Sequence, residues 1–139
     1  MHRFLEARVS DYMTSQVVSV APDTALDALE DRFSRYDFNG LPVLAGSALV
    51  GMVTKFDLLK VFVFTPQSAV PRYHELVKLT ARDIMTRDVV TFAAETPLTR
   101  VLQALVDLRV KSFPVVDDGR VVGIIARDDV VRALHDTRE

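Results

Sequence analysis

Cysteine is absent from this chain, which excludes disulfides, thiolate zinc sites and cysteine nucleophiles. An excess of basic charge is also lacking. The formal net charge is −2 and the pI about 5.9, so no basic field exists to hold a nucleic-acid backbone. No apolar run reaches membrane-spanning length; the longest, around Leu58 to Phe64, is broken by Lys60. The first residues, Met1-His2-Arg3-Phe4-Leu5-Glu6, lack the apolar core of a signal peptide. The expectation is a cytoplasmic protein with no nucleic-acid partner and no membrane partner. Gly-x-Ser-x-Gly, the P-loop and Gly-x-Gly-x-x-Gly are missing too. His2, His74 and His135 are scattered without metal-ligand spacing. No serine has a motif-level base and no carboxylate pair recurs in a cleft pattern. The chain is therefore read as a non-enzyme, with no catalytic residue, no metal site and no catalytic cofactor.

What is present is an ordinary globular composition and a repeat. Apolar residues make up 49% and charged residues 26% of 139 residues, enough for one compact domain with a real core. Sliding the sequence by 72 positions superposes 9–60 on 81–132 without a gap, with thirteen of 52 positions identical. Chance would give about three at this composition. The matches include Pro42 with Pro114, Gly51 with Gly123, Thr24 with Thr96 and Asp57 with Asp129. Shared hydrophobicity does not explain identities at a proline, a glycine and a cap threonine, so this is an internal duplication.

In order, residues 3–12 predict a short helix with Phe4, Leu5, Val9 and Tyr12 on one side. Met13 to Val20 reads as a turn followed by a β-branched strand. Thr24 is an N-cap candidate for a helix carrying Leu26, Leu29, Phe33 and Tyr36, and Asn39-Gly40 reads as its end. Leu41 to Leu44 is a short strand, Ala45-Gly46-Ser47 a turn, Ala48 to Val53 the partner strand, and Phe56 to about Val63 a closing helix. In the second copy, Asp117-Asp118-Gly119-Arg120 is a hairpin turn. The organisation predicted is a first repeat at 9–60 with an N-terminal helix at 1–8, an ordered linker at 61–80, and a second repeat at 81–139 with its core at 81–132. One unit of about 50 residues is near the lower limit for burying its own core. The expectation is thus a pseudo-two-fold pair with a shared core. The linker is read as an ordered crossover in which Phe62, Phe64 and Tyr73 cover the core, a dimer contact or a partner.

The chemistry-bearing stretch is Gly51-Met52-Val53-Thr54-Lys55-Phe56-Asp57, repeated at Gly123-Ile124-Ile125-Ala126-Arg127-Asp128-Asp129. Each copy reads as a buried strand running into a helix start, whose free N–H groups and partial positive charge suit phosphate. Thr54 can add a hydroxyl and Asp57 a carboxylate that accepts from a ribose diol. The same threonine and aspartate also read as a capping box, and Asp128 as an alternative cap of the second helix. Gly51 and Gly123 are read as allowing close strand packing, and Pro42 and Pro114 as strand-edge devices.

The ordered set resembles the cystathionine-β-synthase (CBS) domain, found twice. Met13-Thr14, Val17-Val18, Pro22, Thr24-Ala25-Leu26, Gly40-Leu41-Pro42-Val43, Leu49 to Thr54 and Asp57 carry it in the first copy. Asp83 to Thr86, Thr96-Pro97-Leu98, Ser112 to Val116 and Val121 to Ile125 carry it in the second. The resemblance implies an α/β (α+β) fold of two β-α-β-β-α repeats, a tandem pair or Bateman module. It further implies regulatory binding of an adenosine-containing ligand (AMP, ADP, ATP or S-adenosylmethionine type) in clefts between the repeats, and a homodimer. By the same resemblance, the first cleft has Thr54 on phosphate and Asp57 on the ribose, facing Thr86 to Val90 and Val110 to Pro114. Thr86, Val90, Ser112 and Pro114 are its contacts there, with Lys111 as a basic phosphate ligand; Lys111 is otherwise an ordinary solvated lysine. The second, weaker cleft has Asp129, with Thr14, Val18, Asn39, Gly40 and Pro42. Ala126 there has no hydroxyl, and Asn39 stands in place of the basic residue. The function expected is a stand-alone sensor whose ligand shifts a conformational equilibrium read by a separate protein partner. The rival is a ligand-free dimerisation or interaction module in which Thr54 and Asp57 only cap a helix.

Overall fold

The computed structural model describes residues 2–63, 76 and 78–138. The chain divides into two compact units, Val18–Val89 on one hand and Met1–Val17 with Val90–Glu139 on the other. The class is mixed helix and strand, as expected of a duplicated pair. The compact units are offset from the sequence repeats, because each takes its first elements from the other copy.

In the unit Val18–Val89, α3 (Leu26–Arg35) precedes a hairpin of β1 (Gly40–Ala45) and β2 (Ala48–Thr54), followed by the short α4 (Lys55–Lys60) and α5 (Ala81–Ile84). The strands are antiparallel, with Pro42 opposite Met52 and a register shift between Val43 and Leu44. Gly46, at φ 64°, makes the turn. Two single bridges widen the hairpin. Val20 pairs beside Val43, and Thr86 beside Met52. Met52 exchanges both backbone bonds with Thr86, at 2.9 and 2.8 Å, and the Val20 N–H donates to the Pro42 carbonyl at 2.9 Å. Pro42 thus turns its donor-less nitrogen away from β2, which is why a proline is tolerated inside a paired strand. Leu29, Leu41, Val43 and Val53 are fully buried and pack with Val20 and Ala81 into the core.

The other unit holds α1 (His2–Glu6), α2 (Val9–Tyr12), α6 (Leu98–Leu108), β3 (Ser112–Asp117), β4 (Arg120–Ala126) and α7 (Arg127–Asp136). It repeats the first at an offset of 72. Pro114 lies opposite Ile124, the register shifts between Val115 and Val116, and single bridges join Phe92 to Val115 and Thr14 to Ile124. Asp118 and Gly119 take φ of 51° and 74°, the two positive values that a tight Asp-Gly hairpin turn requires. The core gathers Phe4, Ala7 and Val9 from the N-terminus with Leu98, Val101, Phe113, Val115, Ile125 and Val130. Phe92 meets Phe113 edge to face at 5.0 Å between centroids.

Gly51 and Gly123 make the exchange possible. A Cβ on Gly51 would lie 2.9 Å from the Thr86 carbonyl oxygen and against Met85. One on Gly123 would lie 2.9 Å from the Thr14 carbonyl oxygen and against Met13. Close backbone passage, not ligand binding, accounts for both glycines here.

Several local expectations are corrected. The helix expected over 3–12 is broken into α1 and α2 because Arg8 bridges to Pro97, the Val9 N–H donates to Thr96 and the Leu98 N–H to Ala7. No continuous strand forms over Met13 to Val20; only Thr14 and Val20 pair. The Thr24 hydroxyl accepts from the Ala21 N–H at 3.0 Å and so closes a turn, leaving Ala25 to precede α3 without a side-chain cap. That helix ends at Tyr36 in extended backbone, and Gly40 opens β1. The closing helix stops at Lys60 and its end unwinds through bonds from Val61, Phe62 and Val63 to Leu58, Leu59 and Lys60. The crossover reading of the linker, with Phe64, Pro66, Pro71, Tyr73 and His74, lies outside the described residues.

Candidate functional site

The carboxylate of Asp57 is the chemical centre of the Val18–Val89 unit. It sits at the third position of α4 and is only 4% exposed. Thr54 and Asp57 form a complete capping box. The Asp57 N–H donates to Thr54 Oγ1 at 3.1 Å, and the Thr54 N–H donates to Asp57 Oδ2 at 2.9 Å. The Thr86 hydroxyl, brought in by the exchange, donates to the same carboxylate at 3.2 Å to Oδ2 and 3.4 Å to Oδ1. Lys60 Nζ stands 3.3 Å from Oδ1, and also lies 5.2 Å from the Phe56 ring. A buried carboxylate with an amide, a hydroxyl and an ammonium around it is satisfied as it stands. The expected bond from helix start to phosphate meets competition, because the Lys55 N–H donates to the Asn39 carbonyl at 3.2 Å. The Thr54 hydroxyl accepts one bond and keeps its own proton to donate.

Three of the first cleft's expected residues, Thr54, Asp57 and Thr86, therefore converge. Val90, Lys111, Ser112 and Pro114 belong to the other unit. There Val90 and Lys111 are exposed, while Ser112 and Pro114 are buried in β3. The Lys111 carbonyl accepts the Arg127 N–H at 3.0 Å. Of the second cleft's residues, Val18, Asn39, Gly40 and Pro42 lie in Val18–Val89, and Thr14 and Asp129 in the other unit.

At the second helix start the cap falls to Asp129, not Asp128. Asp129 is 7% exposed and accepts the Ala126 N–H at 2.8 Å; Ala126 has no oxygen to return a bond. Thr14 makes its backbone pair with Ile124, and no bond from its hydroxyl to Asp129 is present among the described residues. Arg132 takes that place. Its guanidinium lies 3.3 Å from Asp129 Oδ1, donates to the Tyr12 carbonyl at 3.0 Å and stands 5.5 Å from the Tyr12 ring. Sequence reasoning passed over both Lys60 and Arg132. The signal was available in their shared place three residues after each aspartate, a spacing that puts side chains on one helix face. Desolvation, and then the charge and hydrogen bond of Asp136, raise the Tyr12 hydroxyl above its ordinary pKa.

No group of metal-ligating side chains occurs among the described residues, and no helix among them is long and apolar enough to cross a membrane.

Comparison with known proteins places this architecture. The CBS domain family profile matches residues 9–63 and 81–136, and the chain belongs to that family. CBSX2 of Arabidopsis thaliana, solved in complex with AMP, is 29% identical with a TM-score of 0.78, covering 94% of this chain and 98% of that one. The CBS domain pair of MJ0100, solved with 5′-methylthioadenosine and S-adenosyl-L-methionine, is 25% identical with a TM-score of 0.78, covering 95% and 98%. MJ1225, an uncharacterised protein of Methanocaldococcus jannaschii, is 29% identical over 129 residues, 89% of this chain and 46% of its own length. The chain thus spans about half of MJ1225. It spans 23% of the inosine-5′-monophosphate dehydrogenase of Korarchaeum cryptofilum. The enzymes among these relatives are larger proteins in which the matching part is a minor share.

Proposed function

We propose that the chain is a regulatory module that binds an adenosine-containing nucleotide, with Asp57 receiving the ribose diol. The observation that carries this is the buried Asp57 carboxylate, whose oxygens meet a hydroxyl and an ammonium beside the Thr54 amide rather than apolar packing. Oδ2 keeps the Thr54 amide bond, while Lys60, half exposed, swings away to admit two sugar hydroxyls. The Thr54 hydroxyl proton then faces the phosphate; the family resemblance assigns the rest of the nucleotide to Thr86 to Val90, Lys111, Ser112 and Pro114. The AMP and S-adenosylmethionine complexes of the two solved CBS pairs support this choice of ligand class. The same resemblance assigns Asp129, Thr14, Val18, Asn39, Gly40 and Pro42 to a second, weaker set. The module has no chemistry of its own; its output is a population shift read by a second copy or by another protein.

Thermal unfolding with AMP and with S-adenosylmethionine tests it, on the wild type and on Asp57→Asn, which keeps an acceptor for the cap. A ligand at a hundredfold over its Kd stabilises by about 2.7 kcal/mol, a shift of roughly ten degrees for a domain of this size. The expected result is a shift in the wild type that Asp57→Asn abolishes. No shift with either ligand would sink the proposal.

A ligand-free interaction module is favoured by a different observation. Phe56 and Leu59, three apart on α4, are 69% and 65% exposed, and Val63 beyond its end is 67% exposed, an apolar surface suited to a homodimer. Analytical ultracentrifugation and nucleotide titration of Leu59→Asp together separate the two readings. Loss of a dimer with nucleotide binding intact assigns the surface to assembly and leaves the ligand site standing.

A further inference from the structure

The two carboxylates are equivalent in sequence and burial, but their counter-ions are held differently. Lys60 has both its partners, Asp57 and the Phe56 ring, on its own α4. Arg132 reaches out of α7 and is fixed in α2 as well, through the Tyr12 carbonyl at 3.0 Å and the Tyr12 ring at 5.5 Å. Exposure does not distinguish the two bases, at 55% for Lys60 and 52% for Arg132. Tethering does. An ammonium is a single strongly hydrated charge on a flexible stem, held here by one carboxylate and one ring of its own helix. A guanidinium offers a planar fork that can serve a carboxylate and a carbonyl together while stacking on an aromatic ring. An incoming diol at Asp129 would have to undo all three contacts at once.

We propose that Arg132 is a positioning residue that keeps Asp129 closed to a ribose diol, so that the chain takes one adenosine ligand and not two. This rests on the nucleotide-binding reading of Asp57. It adds to the missing hydroxyl at Ala126 a specific latch, set by one side chain and removable without touching either carboxylate. Ile84 stands in the other unit at the position equivalent to Tyr12. A guanidinium at position 60 would latch Asp57 in turn.

Isothermal titration calorimetry with AMP on the full chain tests this, with Arg132→Lys, Arg132→Gln, Lys60→Arg and Asp57→Asn. Urea unfolding confirms that each variant folds. Wild type is expected to bind one equivalent, removed by Asp57→Asn. Arg132→Lys is expected to bind two, a gain that loss of a merely structural contact would not produce. Lys60→Arg is expected to weaken the first site about tenfold. Two equivalents in the wild type, or one in both Arg132 variants, would overturn the latch while leaving the nucleotide reading intact. Failure of every protein to bind AMP would overturn both.

Discussion

Thr54 and Ala126 begin their helices at the same point of two copies of one unit, and the contrast between them shows what duplication leaves free to change. The hairpins around them agree residue for residue, down to the irregularity after Val43 and Val115. Both aspartates accept the amide three residues before them, at 2.9 and 2.8 Å. Yet one copy has a reciprocal box, a second hydroxyl from Thr86 and a lysine held only on its own helix, and the other has a half box and an arginine tied to a second helix. What the backbone requires is the same twice, whereas what faces the carboxylates differs. The frame is held by packing that tolerates little change, while polar groups at a helix start can be exchanged at a cost of about 1 kcal/mol.

The sharpest way to break the comparison is at the two glycines. Gly51→Ala and Gly123→Ala each push a methyl group toward a carbonyl oxygen 2.9 Å away. Each is expected to destabilise by about 1–3 kcal/mol, read from the midpoint of urea unfolding. A neutral result at one of them would mean that the two passages are not equivalent. An intermediate effect is expected at the caps. Thr54→Ala should cost about 1 kcal/mol, and Ala126→Thr should gain a similar amount by supplying an acceptor for the Asp129 N–H. If Ala126→Thr gains nothing, the second helix start is not a vacant copy of the first.

The smallest effect is expected at Tyr12, which Ile84 replaces in the other unit. Desolvation and Asp136 raise its pKa in the folded chain. Because the folded value lies above the unfolded one, this contribution is fully present below the unfolded pKa. It is lost as pH rises through the folded pKa. Unfolding followed from pH 9 upward should show a shallower alkaline decline in Tyr12→Phe than in the wild type. Parallel curves would remove Tyr12 from the account.

Much of this was legible in the chain itself. Pro42, Gly51 and Asp57 recurring at a fixed offset announced two copies of one hairpin and helix. The Thr54 and Asp57 spacing specified the capping box that the fold contains. Residues whose partners are distant in sequence were not legible. Thr24 looked like a helix cap because its three-residue lead is right, but the Ala21 amide took its oxygen. Residues 3–12 looked like one helix because their apolar spacing is continuous, but Arg8 and Val9 are pulled onto Pro97 and Thr96. Resemblance alone places Thr86 on the ligand, and its bond to Asp57 follows from strand pairing that no local pattern encodes.

The reciprocal exchange of the Met-Thr segments has a consequence for synthesis. A ribosome that has released the chain to about residue 90 has supplied every residue of Val18–Val89. Thr86 arrives to find Met52 already made. Thr14, in contrast, emerges early and waits for Ile124, its bridge partner near the other end of the chain. The N-terminal seventeen residues, with Phe4 and Val9 among them, stay without their core until the second hairpin appears. The unit that contains the earlier residues is thus the unit completed later. Long-range closure of that kind sets the pace of folding.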